Sequence, residues 1–219
     1  MKGKELLIYI TVLLLLFACD TVRMSQSWQV ENKLPEKYNK MLVLCLGNDS
    51  STGLRYKMEK HLADDLKKLG YNAVTSLQKY GAGVFFTMEE RIAIGKLKRG
   101  NFDAVITIVL LDKTKGSHYV QGRIFYTPDV LYELKFWNYY SRMYEHMITP
   151  GYYSENTRYF WESNLYNLRT GELVCSLQTE SFDPLSTDKL AHEHGKLIAR
   201  YLVSHNVIAL PGQQRALKD

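Results

Sequence analysis

A mixed α/β domain of the α+β type is the fold class this sequence predicts, and three features predict it. Residues 41–46, MLVLCL, are an unbroken apolar run of the kind that forms a strand covered on both faces. Residues 53–69 carry Leu54, Met58, Leu62, Leu66 and Leu69 at three- and four-residue intervals, the period of a helix with one buried stripe. Residues 158–168 and 172–181 read as two strands joined by Arg169-Thr170-Gly171, a short connection with glycine where a positive φ is needed. Together they imply the order β-α-β-α-β-β-β-β-α. The sheet is mixed, parallel first and antiparallel later, with helices packed on it and a long aromatic loop between the late strands.

The chain opens on a segment that belongs to no fold. Lys2 and Lys4 precede an uncharged apolar stretch of twelve residues, Leu6 to Phe17, too short to span a bilayer as a mature helix and suited to a cleaved export signal. Leu16-Phe17-Ala18-Cys19 then places Leu at −3, Ala at −1 and Cys at +1, which resembles the lipobox of bacterial lipoproteins. That resemblance implies diacylation of the Cys19 thiol, cleavage before it and acylation of the new amino group. The alternative is a plain secretory signal followed by a chance cysteine. Residues 1–18 are thus read as a lipoprotein signal, and residues 19–40 as the lipidated cysteine and a flexible tether, polar and aperiodic with Pro35. Trp28 is the tether residue that could dock it on the domain.

A single domain is expected over residues 41–208. After the first strand come polar residues 48–52, then the helix of residues 53–69 with Gly70 at its C-terminal stop. Residues 71–76 read as a short strand. Thr87-Met-Glu-Glu90 matches a capping box and opens a helix that turns Met88, Ile92 and Leu97 inward and stops at Gly100. Residues 104–111 read as another buried strand, and residues 118–125 as extended. Leu173, Cys175 and Leu177 alternate with Val174, Ser176 and Gln178, as in a strand with unlike faces. A last helix, residues 188–205, buries Leu190, Ala191, Leu197, Ile198, Tyr201 and Leu202. Residues 209–219 read as a polar tail.

Composition excludes some functions. The chain is +5, and removing Lys2, Lys4 and Glu5 leaves 26 basic against 22 acidic side chains. The excess is scattered, so nucleic acid is not an expected partner. Of three cysteines, the lipid takes Cys19. Cys45 and Cys175 stand in strands, and such isolated buried cysteines are more often small core side chains than a disulfide.

No set of residues spells out a chemistry. Gly47-Asn-Asp-Ser-Ser-Thr-Gly53 lies between strand and helix but lacks both the Walker lysine and the G-x-G-x-x-G spacing. Ser51 or Thr52 as a helix cap explains it. His192 and His194 are two apart on a helix and point about 200° from each other, so they cannot chelate together. His194 falls on the apolar stripe and His192 outside it. Asp64-Asp65 and Glu89-Glu90 read as solvated or N-terminal turns, and Arg55 and Glu59 as a surface ion pair. The expectation is no catalytic residue, no cofactor, no metal and no enzyme.

One segment is distinctive. From Phe125 to Trp161, 13 of 37 residues are aromatic, about three times the 12% of the whole chain. Residues 127–157 have no clean period, and Pro128, Pro150 and Gly151 punctuate them. Connections this long are functional or disordered, and disordered segments are poor in aromatics. Trp137, Tyr139, Tyr140, Tyr144, Tyr152 and Tyr153 are therefore expected to pack, either as a satellite core on their own sheet or as a contact surface for proteins, glycans or a bilayer interface.

Several stretches together resemble a family of uncharacterised bacterial lipoproteins. They are Arg55-x-x-x-Glu59 with residues 66–70, residues 73–76, Phe102-Asp103-Ala104-Val105, Tyr139-Tyr140, Pro150-Gly151-Tyr152, and Leu165-Tyr166-x-Leu168-x-Thr170-Gly171-x-Leu173. The hairpin is also similar to those of the curli-secretion lipoproteins and of the amino-terminal domain of TolB-like proteins. Many relatives carry Trp where this chain has Cys175. The resemblance implies an envelope-associated α/β module that binds other proteins, with no functional residue carried over beyond Cys19. The expected function is a lipid-anchored, non-enzymatic interaction or assembly module of the bacterial cell envelope, meeting the membrane through its lipid and a protein partner or its own copies through the loop. The alternative is an envelope lipoprotein that binds a glycan or small molecule on the same rings.

Overall fold

The computed structural model describes residues 21–31, 34–46, 52–85, 88–115 and 157–211. Its strands are β1 (Val22–Gln29), β2 (Met41–Leu46), β3 (Ala73–Thr75), β4 (Ala104–Lys115), β5 (Thr157–Asn167) and β6 (Leu173–Phe182). Its helices are α1 (Thr52–Lys68), α2 (Ser76–Tyr80), α3 (Glu90–Arg99) and α4 (Thr187–Ser204). The strands form one sheet in the order β1-β6-β5-β4-β2-β3. β3, β2 and β4 run parallel, whereas β5, β6 and β1 join antiparallel. The mixed α+β sheet predicted from the chain's periodicities is the one observed.

Placement of the helices follows from strand order. β3 and β4 lie on opposite sides of β2, so the chain crosses the sheet in one direction through α1 and in the other through α3. Crossovers of one hand that travel in opposite directions put their helices on opposite faces. Accordingly Met58, Leu62 and Leu66 of α1 share a core with Val43, Cys45, Ile106 and Ile108 on one face, joined by Leu190, Ile198 and Leu202 of α4. Ala93 and Leu97 of α3 pack with Leu42, Leu44, Leu46, Val105 and Tyr166 on the other. Each large apolar side chain buried this way contributes roughly 1.5–3 kcal/mol relative to leaving it in water.

The helices of the first face touch through a glycine. A Cβ on Gly195 of α4 would lie 2.9 Å from the Leu62 backbone nitrogen, so only glycine lets α1 and α4 approach this closely. Gly171, at φ +78°, closes the β5–β6 hairpin, with its N–H bonded to Asn167 O at 2.7 Å.

Three expectations change. Within the predicted tether, Val22–Gln29 is an edge strand paired with β6 from Val22 opposite Ser181 to Gln29 opposite Cys175, with a bulge between Met24 and Gln26. An edge strand needs few apolar residues, because its partner supplies the ladder and one face stays wet. Trp28 packs against the second core cluster. At the other end, Ala209 N–H still bonds Glu36 O, so order continues into the predicted tail. On α3 the inward ridge is Ala93 and Leu97, whereas Ile92 is 48% exposed, and the helix begins at Glu90 with Glu89 at its N-cap and no side-chain cap bond.

β4 and β5 form a long antiparallel arm, paired from Ala104 opposite Asn167 to Lys115 opposite Thr157. β2 stops at Leu46 opposite Val109, so the arm continues six residues further, or about 20 Å.

Candidate functional site

Arg55 and Glu59 are not on the surface. Both project from α1 toward the end of β2 and are 3% and 0% exposed. Glu59 Oε1 accepts the Cys45 N–H at 3.0 Å and the Ser76 O–H at 2.6 Å, and Oε2 accepts the Leu77 N–H at 2.9 Å. Arg55 Nε donates to Cys45 O at 3.0 Å. Burial raises the Glu59 pKa, opposed by those three hydrogen bonds and by the Arg55 charge. The carboxylate thus ties α1 to β2 and to the first turn of α2. The surface ion pair expected from the i, i+4 spacing is wrong, because Arg55 and Glu59 share the inward stripe with Met58, Leu62 and Leu66.

His194 is fully buried on α4. Its Nε2 lies 3.1 Å from Ser163 Oγ and its Nδ1 3.1 Å from Thr179 Oγ1, with the Trp161 ring beside it. Desolvation lowers its pKa to about 3, so it is neutral and acts as a core hydrogen-bonding group. His192 faces solvent, as expected. Cys45 and Cys175 are free and buried. Three strand spacings separate β2 from β6, about 14 Å, whereas a disulfide needs Cα atoms within about 7 Å.

A third polar group crosses the opposite face of the sheet. Glu162 is fully buried and accepts Asn164 Nδ2 at 2.9 Å and Gln178 Nε2 at 3.0 Å. Buried Thr107, Tyr166 and Ser176 stand beside them on neighbouring strands. Asn164 Oδ1 meets no donor among the described residues. Sequence periodicity does show these residues at alternate positions of β5 and β6, but such a polar stripe reads as a solvent face. Among the described residues, no three His, Cys, Asp or Glu side chains are placed to hold a metal ion.

Cys19 and the aromatic residues Trp137, Tyr139, Tyr140, Tyr144, Tyr152 and Tyr153 lie outside the described residues. Their points of attachment do not. The described arm ends at Lys115 opposite Thr157, and those six aromatic residues lie between these two positions in sequence. β6 ends there too, with Phe182 opposite Arg158, and β1 begins there, with Val22 opposite Ser181. Thr21 is fastened to α4: its N–H and O–H both donate to Glu193 Oε2, at 2.9 and 2.6 Å. Burial raises the Glu193 pKa, but the Thr21 bonds and Lys189 outweigh it and hold the carboxyl below its usual range.

No family model and no curated protein matches the chain. Solved structures similar to it include a PelC dodecamer from Paraburkholderia phytofirmans, at 13% identity and TM-score 0.45, over 84% of this chain and 100% of that one. A second crystal form of PelC is similar at 13% identity and TM-score 0.42, over 84% and 98%. The lipoprotein GNA1162 from Neisseria meningitidis is similar at 12% identity and TM-score 0.39, over 76% and 98%.

Proposed function

We propose that this protein is a lipid-anchored interaction module of the bacterial envelope, and that its contact surface is the aromatic segment between β4 and β5. One observation carries the proposal. The described ends that flank the aromatic segment and the start of β1, which leads back to Cys19, lie at the same end of the sheet, with β6 alone between β1 and β5. A partner held by Trp137, Tyr139, Tyr140, Tyr144, Tyr152 and Tyr153 would therefore be gathered close to the membrane that the acyl chains enter. The buried groups support a role without catalysis. Glu59 and His194 each face internal hydrogen-bond partners rather than an open cleft.

Replacing Tyr139 and Tyr140 together by alanine tests this. Crosslinking capture from native envelopes should lose the bands the unaltered protein yields, including any band at twice its own mass, while the thermal midpoint moves by less than a few degrees. Unchanged capture contradicts the proposal, and unfolding of the variant assigns those rings to the core. Tryptophan fluorescence that changes on addition of envelope glycans would favour the carbohydrate-binding alternative.

A further inference from the structure

The Thr21 clamp shortens the leash. Only Asp20 separates Thr21 from Cys19, so the acylation site lies within about 7 Å of a residue bonded to α4. The outer face of α4 beside the β1 edge is therefore held at the bilayer surface, if Cys19 is acylated as proposed above. That face carries two exposed cations, Lys196 and Arg200. Lys60, Lys67, Lys68 and Lys189 are paired with Asp64, Asp65 or Glu193. Lys196 and Arg200 have no ion-pair partner among the described residues and stand one and two turns beyond Glu193 on the same helix. They separate two hollows. One is lined by Val22, His192, Glu193 and Leu197, and the other, of about 330 Å³, by Asp65, Lys68, Leu69, Ala199 and Val203, the two carboxylates being paired with Lys189 and Lys68.

We propose that this face docks the domain on anionic phospholipid, with Lys196 and Arg200 meeting the headgroup phosphates. A cation at an anionic bilayer surface is worth roughly fivefold in partitioning, so the pair biases the docked orientation roughly 25-fold. The inference rests on the anchor reading but concerns different atoms, and the two can fail separately.

The test uses the full lipidated protein in vesicles of phosphatidylcholine, with and without phosphatidylglycerol, carrying headgroup-nitroxide lipid as quencher. A fluorophore is placed at Ser204→Cys, on the ridge of Lys196 and Arg200, or at Lys98→Cys, on α3 across the sheet. Strong quenching at position 204 but not 98, only with phosphatidylglycerol, and abolished by Lys196→Glu with Arg200→Glu, is the expected result. Equal quenching at both positions, or quenching at 204 indifferent to the charge reversals, overturns the proposal. So does a probe at 204 shielded on both vesicle types, as a second copy on that face would cause. Mass spectrometry of the same preparation reads the acylation of Cys19 separately. An unacylated chain that still shows charge-dependent quenching sinks the anchor and keeps the docking face.

Discussion

His194 sits neutral between two hydroxyls, and its neutrality makes the fold sensitive to acid. The native pKa is lowered to about 3 from 6.5, so between these values the unfolded chain binds a proton that the native one does not. Stability is therefore intact above pH 6.5 and falls as the pH drops toward 3, by on the order of 5 kcal/mol over the whole window. Thermal unfolding of His194→Gln between pH 7 and pH 4 should be visibly flatter than that of the unaltered protein, and an identical slope would show that another group titrates. Glu59 offers a second test. Glu59→Ala strands the Cys45 and Leu77 N–H groups and the Ser76 hydroxyl without an acceptor, at a cost on the order of 3–5 kcal/mol, a large share of a domain's stability. A urea midpoint unchanged by the substitution contradicts the placement of that carboxylate. The thiols give a third. Burial pushes Cys45 well up and Cys175 to about 12. With Cys19 acylated, the native protein should not react with an alkylating reagent, and the denatured protein should react at two sites.

The contact of α1 with α4 depends on the absence of a side chain. Alanine in place of glycine ordinarily stabilises a helix interior by about 1 kcal/mol. At Gly195 the added methyl would press on the Leu62 nitrogen and the His61 carbonyl carbon at 2.9 and 3.0 Å, and overpacking of that kind costs about 1–3 kcal/mol. The clash wins, so Gly195→Ala should lower the unfolding midpoint. Gly53→Ala, with nothing within 4 Å, should raise it. Elements that bury one continuous stripe or run were legible in sequence: β2, α1, α4 and the β5–β6 hairpin all lie within two residues of their predicted bounds. β1 was not, because an edge strand takes its order from a neighbour 150 residues away rather than from its own pattern. The same limit hid the buried polar groups. Arg55 and Glu59 carry the inward spacing of their helix, yet charge argued for solvent. Glu162 and Asn164 have the alternation of an exposed strand face, and only tertiary structure buries it.

At the scale of the whole molecule, the sheet has two ends with different contents. One receives the β5–β6 turn and the bridge of Glu36 with Ile208. The other gathers the start of β1, the far end of the β4–β5 arm and the stems of the aromatic segment. A flexible tether of some twenty residues would let the domain wander tens of ångströms from the membrane. The Thr21 clamp instead fastens the chain to α4 two residues after Cys19, so acylation there, as proposed, would set orientation as well as location. Replacing Glu193 by Ala removes the acceptor for both Thr21 bonds and should loosen the first residues of β1, which hydrogen exchange at Val22 and Arg23 would register as faster opening. Unchanged exchange there would mean that β6 alone holds the strand. The proposed membrane anchoring depends on acyl chains at Cys19, and intact-mass analysis of the protein purified from membranes tests it most directly. The account predicts a chain beginning at Cys19 with a diacylglyceryl group on its thiol, whereas an unmodified first residue, or a chain still beginning at Met1, would contradict it.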